Sequence, residues 1–358
     1  MNVLIATDAW HPQINGVVRT LQSLAESLRS LGVGCAFLTP DGFPSVPLPS
    51  YPQLRLSLPR SREIARRIES ARPDAIHIAT EGPIGIAARR YCLARGLPFT
   101  TSFTTKFAEY ISARVPVPVS WGYGVLRRFH APAAVTMVST SSLMEDLSER
   151  GFTHLRKWSR GVDVALFNPE KFAPLDLPRP IFLNVGRIAV EKNLEAFLAL
   201  DLPGSKVVVG SGPQQEDLKA RYRDVHFLGA ASGEKLAACY AAADVFVFPS
   251  RTDTFGIVQL EALASGVPIA ALPVPGPLDV VGDAPVGVLS EDLQAACIGA
   301  LSISRKACRA YALEYTWEKS ARQFMSNIAV IEGTSRRAVG GTLGFKPQRC
   351  NTGAMLAD

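Results

Sequence analysis

Short apolar runs alternate with amphipathic stretches along most of the chain. Those in the first half are NVLIA (2–6), CAFLT (35–39), AIHIA (75–79), PFTTSF (98–103) and VTMVST (135–140). Runs that are apolar throughout are typical of strands buried on both faces, as in parallel sheets. Between the first two runs, apolar residues recur at helical spacing from residue 17 to residue 31, and Gly32 follows as a stop. The pattern predicts βαβ units within a doubly wound sheet.

A second series of the same kind follows a proline-rich interruption. VALFNPEKFAPLDLPRP (164–180) contains four prolines, too many for a helix or a central strand, and is predicted to join two domains. The later runs are IFLNVG (181–186), KVVVG (206–210), VHFLG (225–229), VFVFPS (245–250) and VPIAAL (267–272). We therefore predict two α/β domains, residues 1–164 and 165–315, with a ligand cleft at the C-terminal edges of their strands.

The end of the chain contains an amphipathic segment followed by a glycine-rich one. Residues 316–332 show the pattern of an amphipathic helix, whereas residues 333–358 are glycine-rich and poor in large apolar side chains. The first segment is predicted to be a final helix and the second to be disordered.

The composition excludes several classes of protein. Of the 358 residues 47% are hydrophobic and 20% are charged, as in an ordinary globular protein. No apolar run reaches the roughly 20 residues that cross a bilayer, and the N-terminus lacks the basic stretch of a secretory signal. The six cysteines form no CxxC pair and the five histidines show no metal-binding spacing. A cytoplasmic protein with reduced thiols and neither metal nor cofactor is predicted.

The positive charge lies in the first half of the chain. Residues 1–170 hold 19 Lys and Arg against 13 Asp and Glu, while the remainder holds 19 against 19. This imbalance favours an anionic partner for the first domain: a membrane surface, a phosphorylated substrate or nucleic acid. Because no nucleic-acid-binding motif accompanies the charge, nucleic acid is not expected.

Two acids stand eight positions apart in SRTDTFGIVQLEALASGVP (250–268). The pattern predicts a helix from residue 254 or 255 to Gly266, with Asp253 as its N-cap and Glu261 about two turns along. The carboxylates would lie on the order of 10 Å apart. The helix N-terminal amides between them, which form a natural phosphate site, belong to Phe255, Gly256 and Ile257. This arrangement suits a nucleotide sugar; alternatively, Asp253 is a simple cap and Glu261 a solvated helix residue.

Basic residues and glycines follow other strands. In NVGRIAVEKN (184–193), Gly186 precedes Arg187 and Lys192, two cations suited to phosphate that are otherwise ordinary surface residues. In HPQINGVVRT (11–20), Gly16 would let a diphosphate approach the first helix, unless it is simply a loop glycine. GSGP (210–213) lacks the third glycine of a dinucleotide fingerprint.

Taken together, these motifs resemble the glycosyltransferases of family four, the retaining and metal-independent GT-B class. The matching pieces are NGVVRT, RGVDVALFNP, GRIAVEKN, GSGP, DVFVFPSRTDTFGIVQLEALASGVP and WEKSA, and they span nearly residues 1–325. The likeness points to the branch that makes glycolipids, such as sulfoquinovosyl-, glucosyl- and mannosyl-lipid synthases. It implies two Rossmann-like domains facing a cleft, with helix 316–332 crossing back to the first.

The resemblance also implies roles for single residues. Arg187 and Lys192 would bind the donor diphosphate, Asp253 the hydroxyls of the donor sugar, and Glu261 the ribose. Gly16 would lie beside the diphosphate. Asp253 departs from the Glu that the family usually has at that position.

A second departure concerns the first domain. The family usually has a His within the segment that corresponds to TSFTTKF (101–107), and here that position is Thr104. Thr104, His11 and Glu81 are the candidates for contact with the acceptor or the reacting centre.

Aromatic and basic residues in the first domain favour contact with an anionic membrane, although a solvated basic face is the alternative. EYISARVPVPVSWGYGVLRRFH (109–130) contains Trp121, Arg127 and Arg128, and LPRSREIARRIES (58–70) adds further arginines. We therefore expect a peripheral protein on the inner face of the membrane.

The predicted activity is retaining transfer of a hexose from a UDP- or GDP-linked sugar to an acceptor hydroxyl, as of a membrane lipid such as diacylglycerol. A sugar-nucleotide epimerase and a catalytically degenerate nucleotide-sugar-binding protein remain alternatives. A dehydrogenase is poorly supported without GxGxxG.

Overall fold

The computed structural model describes residues 1–11, 16–48, 51–112 and 117–331. The predicted disordered tail, residues 333–358, lies outside the described residues. The strands are β1 Asn2–Ala6, β2 Gly34–Leu38, β3 Ser45–Leu48, β4 Tyr51–Ser57, β5 Ala75–Ile78, β6 Thr100–Phe103, β7 Val135–Val138, β8 Leu155–Lys157, β9 Ile181–Val185, β10 Ser205–Val209, β11 Val225–Phe227, β12 Val245–Phe248, β13 Ile269–Ala271 and β14 Gly287–Leu289. The helices are α1 Gly16–Ser30, α2 Ser61–Ala71, α3 Pro83–Ala94, α4 Phe107–Ser112, α5 Val119–His130, α6 Ser141–Glu149, α7 Glu195–Leu198, α8 Gln215–Arg221, α9 Gly233–Ala242, α10 Ile257–Ala264, α11 Pro275–Val280, α12 Leu293–Ala300, α13 Arg305–Ala312 and α14 Trp317–Asn327.

The strands form two parallel sheets of six strands each. The first has the order β2-β1-β5-β6-β7-β8 and the second β11-β10-β9-β12-β13-β14, while β3 and β4 pair as a separate antiparallel hairpin. All ten predicted strands are present, each within two residues of its predicted bounds. Two doubly wound α/β domains are thereby confirmed, because the apolar runs are buried on both faces of each sheet.

Helix α1 shows how the apolar spacing produces packing. Leu21, Leu24 and Leu28 lie on one face of this helix and are buried against residues of the first sheet. The helix ends at Ser30, and Gly32 follows with φ 76°, a left-handed conformation that stops a helix. The predicted helix and its stop are confirmed.

The last helix returns from the second domain to the first, as expected. On α14, Phe324 packs against Trp158, whose indole N–H donates to Ser320 Oγ at 3.1 Å. The predicted end at residue 332 is wrong, because α14 stops at Asn327. Beyond it the chain is extended, and Val330 forms an antiparallel bridge with Ala75 of the first sheet.

The C-terminal strand edges of the two sheets meet each other. The Thr254 hydroxyl, after β12, donates to the carbonyl of Thr104, after β6, at 3.0 Å. The Ser139 hydroxyl, after β7, donates to the carbonyl of Thr254 at 3.1 Å. Ser142 of α6 donates through its amide and its hydroxyl to the carboxylate of Asp279 on α11. The domains therefore touch along the predicted cleft.

Candidate active site at the domain cleft

The segment after β12 differs from the prediction at the start of its helix. Helix α10 begins at Ile257, after Gly256 in a left-handed conformation with φ 77°. Asp253 is therefore not its N-cap, because a left-handed residue cannot continue a right-handed helix and delays its start. A Cβ on Gly256 would lie 2.8 Å from the Phe248 ring, so the position requires glycine. Phe255 is buried in the core, which leaves its backbone as the part able to reach a ligand.

Glu261, on α10, is one of the few acids buried in the core. Its side chain is 2% exposed, which contradicts the alternative of a solvated helix residue. Arg19 of α1 lies 2.5 Å from Oε1, and the Tyr240 hydroxyl donates to Oε2 at 2.9 Å. Burial raises the pKa of Glu261, and Arg19 and Tyr240 offset part of that rise. Arg19 thus brings a charge from the first domain to the second.

Lys192 and Asp253 form an ion pair within the second domain. Lys192 ends a 3₁₀ turn, Val190–Lys192, and its Nζ lies 2.6 Å from Asp253 Oδ1. Asp253 Oδ2 is buried and has no hydrogen-bond partner in the described structure. The structure therefore joins two of the three predicted catalytic residues and leaves one acid oxygen unused.

Arg187 is exposed on the loop that connects β9 to this turn. The loop packs backbone to backbone against GSGP, the motif that is too weak for a dinucleotide fingerprint. A Cβ on Gly210 would lie 1.8 Å from the carbonyl oxygen of Gly186, and one on Gly212 would lie 2.2 Å from that of Ile188. These glycines are therefore required for close packing that positions the loop of Arg187.

The first-domain candidates Gly16 and Thr104 lie at the ends of elements, whereas His11 lies on the exposed surface. Gly16 is the first residue of α1, and a Cβ there would meet none of the described atoms within 4 Å. Thr104 contacts Thr254 through its carbonyl, and its Oγ1 is buried without a partner in the described structure. His11 is exposed and hydrogen-bonds Gln22 at 2.8 Å; no recorded contact brings it to Thr104.

Glu81 follows β5 and is buried. Its Oε1 lies 3.2 Å from Nε2 of His130, the last residue of α5. Sequence reasoning missed His130, because nothing in the motif spacing joins it to Glu81.

The residues proposed for membrane contact lie on α5. Trp121 is 73% exposed, Val125 is 65% exposed, and Arg127 and Arg128 are also exposed. Among the described helices, none has both the length and the apolar character needed to cross a membrane. The described residues also contain no group of three or more His, Cys, Asp or Glu placed to hold a metal ion.

The fold places the chain in a class. Two Rossmann-like domains that face a cleft, with a last helix crossing back, define the GT-B glycosyltransferases. Solved structures of this shape include sucrose-phosphate synthase from Thermosynechococcus elongatus, with TM-score 0.70, 20% identity and coverage of 91% of this chain and 97% of that one. Another is Anabaena HepE in complex with UDP and glucose, with TM-score 0.67, 14% identity and coverage of 91% and 98%.

Family models narrow the class further. Residues 14–166 match glycosyltransferase family 4, and residues 179–302 match the glycosyl transferases of group 1. The chain belongs to this glycosyltransferase family.

Several curated relatives are glycosyltransferases that differ in the sugar they transfer. A sulfoquinovosyl transferase of Arabidopsis thaliana is 30% identical over 75% of this chain, which spans only 58% of that protein. A GDP-mannose-dependent α-mannosyltransferase of Mycolicibacterium smegmatis is 31% identical, with coverage of 81% of this chain and 84% of that protein. An α-monoglucosyldiacylglycerol synthase of Streptococcus pneumoniae is 25% identical, with coverage of 90% and 83%.

Proposed function

We propose that the protein is a retaining, metal-independent hexosyltransferase. It takes the hexose from a UDP- or GDP-linked sugar and delivers it to a hydroxyl of a membrane lipid such as diacylglycerol. The observation that carries the proposal is the arrangement around Gly256: the Lys192–Asp253 pair precedes it and the buried Glu261 follows it. The names of the mannosyl and glucosyl relatives support the donor and the lipid acceptor.

The site matches the parts of a nucleoside-diphosphate sugar. Asp253 is held by Lys192 through one oxygen, and its buried, unpartnered Oδ2 is available to a sugar hydroxyl. Glu261 uses two of its roughly four acceptor positions, which leaves the others for ribose hydroxyls. The first amides of α10 lie between the two acids, where a diphosphate belongs.

The reaction then needs little proton chemistry from the protein. The bond between the anomeric carbon and the phosphate oxygen breaks, and its electron pair leaves with the diphosphate. The acceptor oxygen bonds to the anomeric carbon on the same face, and its proton passes to the departing phosphate. Arg187, Lys192 and the helix amides stabilise the negative charge that develops on the leaving group.

Thr104 is compatible with this chemistry. A threonine hydroxyl can hydrogen-bond a sugar but cannot carry a positive charge as histidine can. Because Arg187 and Lys192 supply the positive charge from the second domain, the first domain is left mainly with acceptor binding.

Helix α5 supports contact with the membrane. Trp121, Val125 and Arg128 recur at helical spacing on its exposed side, whereas Tyr123 and Leu126 are buried in the first domain. An exposed aromatic and apolar stripe with arginines is typical of a surface that lies in the lipid headgroup region. We place the protein at the cytoplasmic face of the membrane, in peripheral contact.

The test is to incubate the protein with radiolabelled UDP- and GDP-hexoses and a lipid extract, with and without a chelator. Label should enter the lipid phase at equal rates in both conditions, and the product should keep the anomeric configuration of the donor by NMR. An isomerised donor would instead show an epimerase. Binding of the donor without turnover would show a degenerate protein, the outcome that the departures at Thr104 and Asp253 make worth testing.

A further inference from the structure

Three buried side-chain oxygens without a partner belong to residues that follow the C-terminal ends of β5 and β6 in the first domain. Within the described ranges, the buried side-chain oxygens that lack a hydrogen-bond partner include Glu81 Oε2, Thr104 Oγ1 and Glu109 Oε2. Leaving such an atom unpaired costs free energy, and the cost is greater for a charged group. Several such oxygens beside a substrate cleft indicate hydrogen-bond acceptor atoms that a bound ligand would satisfy with its own donors.

Glu81 is the best defined of the three. Its side chain is 6% exposed, and His130 Nε2, itself in a 2% exposed side chain, lies 3.2 Å from Oε1. The other ring nitrogen of His130 lies 2.9 Å from the hydroxyl of Thr101, which fixes the orientation of the ring. One carboxylate oxygen is thus held in place while Oε2 remains unused.

Glu109, on α4, is held in the same manner. The hydroxyl of Tyr123 donates to Glu109 Oε1 at 2.7 Å, and burial raises the pKa of Tyr123, so the phenol keeps its proton. Again one oxygen is fixed and Oε2 has no partner.

Aromatic packing connects the two acids. His130 and Tyr123 both contact the ring of Phe103, with ring centroids 5.9 Å and 6.3 Å away. Thr104 directly follows Phe103.

The strand register places Glu81 and Thr104 at one level. Ile78 of β5 pairs with Thr101 of β6, so Glu81 and Thr104 each stand three residues beyond that pair. Thr104 also contacts Thr254, the neighbour of Asp253. The cluster therefore adjoins the proposed site of the donor sugar.

We propose that Glu81, Glu109 and Thr104 bind the hydroxyls of the acceptor, and that the acceptor headgroup is a neutral polyol. The inference rests on the proposed function, and it replaces diacylglycerol as the example of an acceptor with a membrane lipid that carries a polyol headgroup. Two carboxylates with unused lone pairs require several hydroxyl donors, and they repel a phosphate. A headgroup with many hydroxyls and no phosphate satisfies them better than the single hydroxyl of diacylglycerol or the charged headgroup of an inositol phospholipid. His130 is a positioning residue that acts through Glu81.

The experiment uses the full chain and three acceptors in phosphatidylcholine vesicles: glucosyldiacylglycerol, diacylglycerol and phosphatidylinositol. We expect the highest kcat/KM with glucosyldiacylglycerol. Glu81→Gln and Glu109→Gln should each lower that kcat/KM by about 10- to 100-fold, the scale of a lost hydrogen bond to a charged group. The loss should appear mainly in the KM for the acceptor, with the Kd for UDP or GDP unchanged by calorimetry.

Three further variants separate positioning from folding. His130→Gln keeps a donor near Glu81 and should retain most of the activity, whereas His130→Ala should raise the acceptor KM as Glu81→Gln does. Glu318→Gln removes an exposed carboxylate on α14 and should change nothing. If Glu81→Gln misfolds by circular dichroism, Glu109→Gln decides, because Glu109 lies on a different element, α4.

Each remaining outcome decides the inference. A preference for diacylglycerol or phosphatidylinositol, an unchanged acceptor KM, or an equal loss of nucleotide binding would overturn it. A binding experiment distinguishes this failure from a failure of the proposed function. Soluble glucosylglycerol is added to the protein with UDP, and broadening of the NMR lines of glucosylglycerol reports its binding. Broadening that Glu81→Gln abolishes, without transfer from any donor, would refute the transferase and leave the polyol site standing. Neither transfer nor broadening would refute both.

Discussion

Replacing Arg19 with alanine should destabilise the protein, and the loss should depend on pH. The guanidinium lies 2.5 Å from Glu261 Oε1, and the other recorded donor to this carboxylate is the Tyr240 hydroxyl at 2.9 Å. Because the Glu261 side chain is only 2% exposed, its carboxylate depends on these two donors in the folded state. The variant would leave a buried acid with one neutral donor.

The magnitude follows from the exposure of the two partners. A hydrogen bond to a charged group contributes about 1.5–3 kcal/mol, and breaking a fully buried ion pair costs about 3–5 kcal/mol. The Arg19 side chain is 38% exposed, so solvent screens the pair and favours the lower range. We expect Arg19→Ala to lower the free energy of unfolding by about 1.5–3 kcal/mol near pH 8.

The direction of the pH dependence follows from the pKa of Glu261. Burial raises this pKa, Arg19 opposes the rise, and the variant removes that opposition. An acid with a raised folded-state pKa contributes stability that is fully present below its unfolded pKa and is lost as pH rises through the folded pKa. The deficit of the variant should therefore be largest at pH 8 and shrink as the pH falls and Glu261 takes up a proton.

Urea unfolding of the parent and the variant at several pH values measures the difference in their free energy of unfolding. Arg322→Ala, which breaks an exposed pair with Glu318 on α14, is the matched control and should cost less than about 1 kcal/mol. When Glu261→Gln is the background, the loss of unfolding free energy caused by Arg19→Ala should no longer depend on pH. A deficit that is equal at pH 5 and pH 8, or a double variant that keeps the pH dependence of Arg19→Ala, would refute the reasoning.

Three further predictions concern the donor site and the surface. Arg187→Ala should lower turnover at saturating donor by on the order of a hundredfold or more, and unchanged turnover would remove its role on the leaving group. Gly210→Ala places a Cβ 1.8 Å from a carbonyl oxygen and should cost about 1–3 kcal/mol of stability. By contrast, Gly16→Ala meets none of the described atoms within 4 Å, and it should leave stability unchanged while raising the donor KM. Replacing Arg127 and Arg128 with glutamine should weaken binding to anionic vesicles by roughly tenfold or more, since each charge contributes about 1 kcal/mol near the membrane surface; equal recovery of variant and parent in sedimentation would contradict membrane contact.

The long apolar runs predicted the fold well because a strand buried on both faces has a direct sequence signal. The strands that were missed lack this signal. β8, Leu155–Lys157, has only three residues and lies at a sheet edge, where solvent permits polar side chains. β14, Gly287–Leu289, is equally short, and β3 and β4 contain prolines that argue against a strand.

The site was predictable only where its residues are neighbours in the sequence. Asp253, Gly256 and Glu261 share one motif, so their proximity follows from local structure. The pairing of Arg19 with Glu261 and of His130 with Glu81 depends on how distant elements dock, for which one sequence carries no periodic signal. The start of α10 was mispredicted because Gly256 adopts a left-handed conformation, φ 77°, which the helical pattern around it did not indicate.

The short segment after β12 joins the proposed donor site to the contact between the domains. Asp253 pairs with Lys192 inside the second domain, while the next residue, Thr254, forms two hydrogen bonds with the first domain. One of those bonds ends on the backbone carbonyl of Thr104, so the contact does not depend on the side chain that occupies this position. A sugar that binds Asp253 would therefore act on the same backbone that holds the domains together. If Thr104 stands where related enzymes have a histidine, the exchange would change the chemistry offered to the proposed substrate but would leave this contact between the domains intact.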